Sequence, residues 1–142
     1  FWPSHHGHEA RSLPLVNALC DRLRVPIDFR ELALLAAEHH GNVHRAAELR
    51  DATVLSLLER TDALRRPERF ELFLLACEAD SRGRKGLEDR PYPQAAFFRA
   101  ALAAVKPLVP TPEEIQTLKG PQIAASLRQR RIAAIAALRR AS

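Results

Sequence analysis

Proline falls in this chain, time after time, just ahead of apolar residues spaced three and four apart, and that pairing restricts the fold more than any other feature. In the first turn of a helix the missing N–H costs nothing and the fixed φ already suits the helix. In a central strand the same residue would break the hydrogen-bond ladder. Pro26, Pro67, Pro93, Pro112 and Pro121 all stand at such starts. Alternating β-branched and aromatic runs bounded by turns are absent, so the expected fold is all-α.

Taken in order, residues 9–23 carry Leu15, Leu19 and Leu23 at four-residue spacing, which predicts one buried apolar stripe. Pro14 leaves two starts open: a helix from Ser12, or one from Glu9 that bends at the proline. Pro26 opens a second helix whose buried face is Phe29, Leu32, Ala33, Leu35 and Ala36, with Gly41 expected to close it in the left-handed position after the last turn. Asn42 would then cap a short helix carrying His44. A helix from about Asp51 turns Val54, Leu55 and Leu58 inward, and the most apolar one follows Pro67, with Phe70, Phe73, Leu74 and Cys77 on one face. Residues 83–93, rich in Gly, Pro and charge, form the one long irregular connection and the natural boundary between segments 1–90 and 91–142. Beyond it come a helix through Phe97, Phe98 and Leu102, a capping box at Thr111-Pro112-Glu113-Glu114, and a last helix from Gly120-Pro121 with Ile123, Leu127, Ile132, Ile135 and Leu138 on its apolar side.

At 142 residues the chain suits one domain with its own core. No apolar run approaches the roughly 20 residues needed to span a bilayer, which argues against a membrane protein. The opening Phe1-Trp2-Pro3-Ser4 has neither the basic nor the apolar region of a secretory signal, and no Met occurs anywhere; the expectation is a portion of a longer cytoplasmic protein. Cys20 and Cys77 fall in apolar helical patterns without CxxC spacing and read as buried thiols. The net charge of +5 is unevenly placed: Lys119, Arg128, Arg130, Arg131, Arg139 and Arg140 follow Glu114 with no acid among them. Arg128, Arg131 and Arg139 fall on nearly one face, either a solvated basic face or a contact for nucleic-acid phosphates.

All six histidines lie in two short segments, His5-His6-Gly7-His8 and His39-His40-Gly41-Asn42-Val43-His44. Histidines on two helices with an acid on a third could form a mixed N/O metal site, although the spacing is neither that of a zinc finger nor HExxH. Glu78 and Asp80 close the Pro67 helix, where the dipole disfavours negative charge, so each calls for a compensating arginine or cation; Arg82 and Arg84 are at hand.

These segments resemble a known family. Gly7-His8-Glu9, residues 34–44 ending Glu38-His39-His40-Gly41-Asn42-Val43-His44, Arg65-Arg66-Pro67, Cys77-Glu78-Ala79-Asp80 and Asp89-Arg90-Pro91-Tyr92-Pro93-Gln94 are similar to the C-terminal part of bacterial multifunctional tRNA CCA-adding enzymes. The resemblance covers almost the whole chain. It implies the later part of an HD-type helical domain followed by additional helices, a divalent metal (Ni²⁺ or Mg²⁺), and tRNA as partner. In that family the domain hydrolyses cyclic and monoester phosphates, while a head domain adds the CCA end. By motif, His8, His40 and Asp80 match metal ligands, with Asp62 as an alternative to Asp80; His5 and His44 match phosphate-binding or supporting positions. The His-Asp doublet that names the superfamily does not occur in this sequence, so the resemblance implies half a metal site and an inactive fragment. The alternative is a non-catalytic helical module that holds RNA through Arg128, Arg131 and Arg139, or a second subunit, a homodimer included, through an apolar face.

Overall fold

In a computed structural model, which describes residues 7–83 and 85–141, the described residues form seven α-helices, five of them at the proline-marked starts, and no strand. They are α1 (His8–Leu23), α2 (Ile27–His44), α3 (Asp51–Arg60), α4 (Pro67–Arg82), α5 (Pro93–Val105), α6 (Pro112–Thr117) and α7 (Gly120–Ala141), with a short 3₁₀ turn at Ala46–Glu48. Pro67, Pro93 and Pro112 each occupy the first turn of their helix. Thr111 and Glu114 form the expected capping box: the Thr111 hydroxyl accepts from the Glu114 N–H at 3.2 Å, and the Glu114 carboxylate accepts from the Thr111 N–H at 2.7 Å.

The helices pack α1 on α2, α2 on α4, α4 on α5, and α7 across α3 and α5. One apolar cluster runs through both sides of the 83–92 connection: Val43, Val54, Leu55, Leu58, Phe70, Phe73 and Leu74 share it with Phe98, Val105 and Ile135, all essentially without solvent contact. Phe98 meets Phe70 edge-on, with ring centroids 6.4 Å apart. Each such side chain contributes about 1.5–3 kcal/mol relative to exposure. Both cysteines are buried and free.

Two local expectations are corrected. First, α1 starts at His8 with Pro14 inside it, the earlier of the two starts left open, and its Leu15, Leu19 and Leu23 stripe faces solvent, Leu15 at 71% exposure; the helix instead buries Cys20 and half-buries Val16 toward α2. The helical spacing was right, but the partner for that face is not among these helices. Phe29, expected in the core, is likewise exposed. Second, Gly41 does not end α2, which continues to His44, so Asn42 is no cap. Gly41 instead faces α1: a Cβ there would meet the end of the Glu9 side chain. Helix α1 begins on Gly7 at φ 71°, a left-handed position that a side chain would strain.

Candidate functional site

The last turn of α2 presents His40 and His44 one helical turn apart, with their rings edge to face at 5.7 Å. His40 Nδ1 lies 2.8 Å from the Ala36 carbonyl. A carbonyl can only accept, so Nδ1 carries the proton and Nε2 the lone pair.

His44 is held at both ring nitrogens. Nε2 is 2.9 Å from Asp80 Oδ2, and Nδ1 is 2.9 Å from the Tyr92 hydroxyl. The carboxylate accepts, so Nε2 donates to it and the hydroxyl donates to Nδ1. Burial, then the negative fields of Cys77, Asp80 and Glu78, push the Tyr92 phenol well above its ordinary value, which keeps that proton in place. Gln94 adds a bond from its amide nitrogen to the His44 carbonyl at 3.3 Å. Cys77 is no nucleophile, because burial, with Asp80 adding to it, pushes its thiol up to about 12.

Asp80 stands in the last turns of α4, against the dipole, and His44 is its partner there. Its neighbour Glu78 pairs with Arg82 at 2.8 Å, the compensation expected from the sequence; Arg84 lies outside the described residues. Asp62 takes no part: it sits at φ 56° in the turn after α3 and pairs with Arg65 at 3.0 Å. A cavity of about 620 Å³ opens beside His44 and Asp80, walled by Arg90 and Tyr92 from the connection between α4 and α5 and by Gln94 from the first turn of α5. Those three belong to the segment most specific to the resemblance, yet nothing in their spacing alone gave them a role.

His5 lies outside the described residues. The backbone of His8 opens α1, one residue before the Glu9 carboxylate that faces Gly41, but its side chain is likewise outside what is described. Two donors, His40 Nε2 and the Asp80 carboxylate, are fewer than a divalent ion takes. Among the described residues no three metal-binding side chains converge, so they do not by themselves fit a metal.

The three C-terminal arginines point inward rather than onto an open face. Arg128 bonds Glu59 at 2.5 Å and the Ser56 hydroxyl at 2.9 Å, and Arg131 donates to the Leu108 carbonyl at 3.1 Å. Arg139 donates to the Ala46 and Leu49 carbonyls at 3.0 and 2.8 Å, pairs with Asp51, and lies over the Phe97 ring. Their common work is to tie α7 to the rest of the bundle.

Over 137 residues, 96% of its length, the chain is 56% identical to the multifunctional CCA protein of Thioalkalivibrio sulfidiphilus. It is 54% identical over 134 residues to that of Nitrosococcus oceani and 52% over 139 residues to that of Alkalilimnicola ehrlichii. This chain is a relative of the multifunctional CCA proteins. It spans about a third of the length of these curated relatives, 34% of the first. No family model and no solved structure matches it. The Gly-His-Glu and Arg-Pro-Tyr-Pro-Gln segments that suggested the family thus sit in a chain alike almost end to end, and among the described residues no helix is long and apolar enough to cross a membrane.

Proposed function

We propose that this chain is the later part of an HD-type phosphohydrolase region within a tRNA CCA-adding protein, and that His8, His40 and Asp80 are its share of a divalent-metal site. The observation that supports this most is the His44–Asp80–Tyr92 junction beside an open cavity, one helical turn from His40, in a chain similar to multifunctional CCA proteins. His8, His40 and Asp80 carry too few donors to hold a catalytic ion by themselves, so on this reading further ligands complete the site and the 142-residue chain alone is inactive. A divalent ion in the completed site would polarise a phosphoryl oxygen and supply an activated water. The residues described here act around it. Tyr92 and Asp80 lock the His44 ring in one tautomer, and His44 in turn holds the Asp80 carboxylate in place beside the cavity. Arg90 adds positive charge to the same wall.

The test uses a longer polypeptide of the length its relatives have. Asp80→Asn and His40→Ala should each lower hydrolysis of a 2′,3′-cyclic phosphate at least a hundredfold, with CCA addition to tRNA retained. Unchanged hydrolysis in both would overturn the assignment, as would robust turnover by the 142-residue chain with added Ni²⁺ or Mg²⁺. The reading in which Arg128, Arg131 and Arg139 form an RNA-holding face draws no support from their geometry, since each guanidinium bonds within the protein.

A further inference from the structure

The opposite side of α2 holds a second polar cavity, of about 240 Å³, between that helix and α3. His39 and Asn42, three apart, share this face, whereas His40 and His44 share the other. From α3 the wall is made by Thr53, Ser56 and Arg60.

The lining is rich in donors and contains no carboxylate. Ser56 is already committed: it donates to the Ala52 carbonyl at 2.9 Å and accepts from Arg128 at 2.9 Å. Asn42, Thr53 and Arg60 differ from it. Among the described residues the Asn42 carboxamide and the Thr53 hydroxyl make no hydrogen bond, and the Arg60 guanidinium makes neither a hydrogen bond nor an ion pair. The nearby acids face other partners: Glu59 is paired with Arg128 at 2.5 Å, and Glu38, outside the lining, lies 3.8 Å from His39 Nε2, the group on which Glu9 also acts. A neutral ligand would leave the guanidinium uncompensated, and a cation would be repelled. An oxyanion supplies acceptors for all three donors at once, with the fork of Arg60 suited to two oxygens of a phosphate.

We infer that the cavity between α2 and α3 is a phosphate-binding site, in which Arg60, Asn42 and Thr53 hold the oxyanion. It is distinct from the His44–Asp80 site and does not depend on hydrolysis there. The phosphate could be free or part of an RNA backbone, and the two sources are separable.

The experiment is a ¹H–¹⁵N NMR titration of the 142-residue chain, with inorganic phosphate in one arm and a single-stranded oligoribonucleotide lacking a terminal phosphate in the other. Saturable shifts of the Asn42 side-chain amide and the Arg60 Nε–H are expected. Shifts with the oligoribonucleotide identify a backbone phosphodiester; shifts with inorganic phosphate alone identify a free phosphate. Arg60→Gln, on an exposed side chain, should weaken whichever probe binds about tenfold, and Asn42→Asp, nearly isosteric but anionic, should weaken it at least as much. If neither probe moves these resonances, or if both variants bind as tightly as the parent chain with their spectra otherwise intact, the site does not exist. No hydrolytic activity enters the readout, so failure of the phosphohydrolase proposal would leave this result standing.

Discussion

Tyr92 shows how one hydroxyl sets the state of a whole cluster. With the Tyr92 hydroxyl donating to His44 Nδ1 and the opposite nitrogen donating to Asp80, the ring has neither rotational nor tautomeric freedom. Tyr92→Phe keeps the buried ring but leaves Nδ1 without its donor. The expected cost is about 1–2 kcal/mol in urea unfolding, together with broadened His44 ring resonances in NMR spectra; unchanged stability and a sharp ring would show that the hydroxyl bond is dispensable. The histidines themselves could be read from the sequence as the place for chemistry, because all six fall in two segments. That Asp80, rather than the alternative Asp62, meets His44 could not be settled from spacing, since Asp80 closes α4 and Asp62 follows α3, and the packing of α2 against α4 selects between them.

At the level of elements, the prolines and the Thr111 capping box were legible because their physics is local. The inner faces of α3 and α4 could be read from spacing for the same reason. Helix α1 could not be oriented this way: periodicity identifies a stripe but not whether a neighbour in the chain covers it. Leu19→Glu should therefore change stability by less than about 0.5 kcal/mol, while Phe98→Ala should cost about 3–5 kcal/mol. Thermal denaturation of the two variants checks this, and a large loss at Leu19 would mean that the stripe is covered in solution. Gly7 and Gly41 make a second contrast. Gly41→Ala gains helix propensity, about 0.5–1 kcal/mol, and displaces only the flexible end of Glu9; Gly7→Ala forces a side chain into φ 71° and should cost about 1 kcal/mol. Equal effects at the two glycines, read by the same denaturation, would refute the helical assignment of Gly41.

Across the whole molecule, carboxylate–arginine pairs join helices distant in sequence. Glu71 on α4 accepts a forked pair of bonds from Arg99 on α5, and Glu31 on α2 accepts from both Arg66 and Arg69. These bonds hold both glutamates below the ordinary 4.5, and Glu114 is lowered chiefly by its bond from Ser126. A carboxyl whose folded value lies below its unfolded one contributes stability above the unfolded value and loses it as pH falls through the folded one. The urea midpoint should thus drop progressively below about pH 4.5, and Glu71→Gln should flatten part of that drop. A midpoint flat from pH 5 to pH 3 would show that the pairs contribute nothing, the usual outcome for isolated exposed pairs.

Arg139 carries a consequence for the order in which the bundle assembles. Its guanidinium closes on the carbonyls of Ala46 and Leu49, 93 and 90 positions earlier in the chain. Contacts this remote in sequence form late, because the loop they close must first lose its entropy. As the polypeptide leaves the ribosome, the turn beyond His44 stays unlatched until almost the last helix has emerged. A nascent chain halted within α7 would hold every residue of the His44, Asp80 and Tyr92 cluster without the clasp that fixes the turn following it.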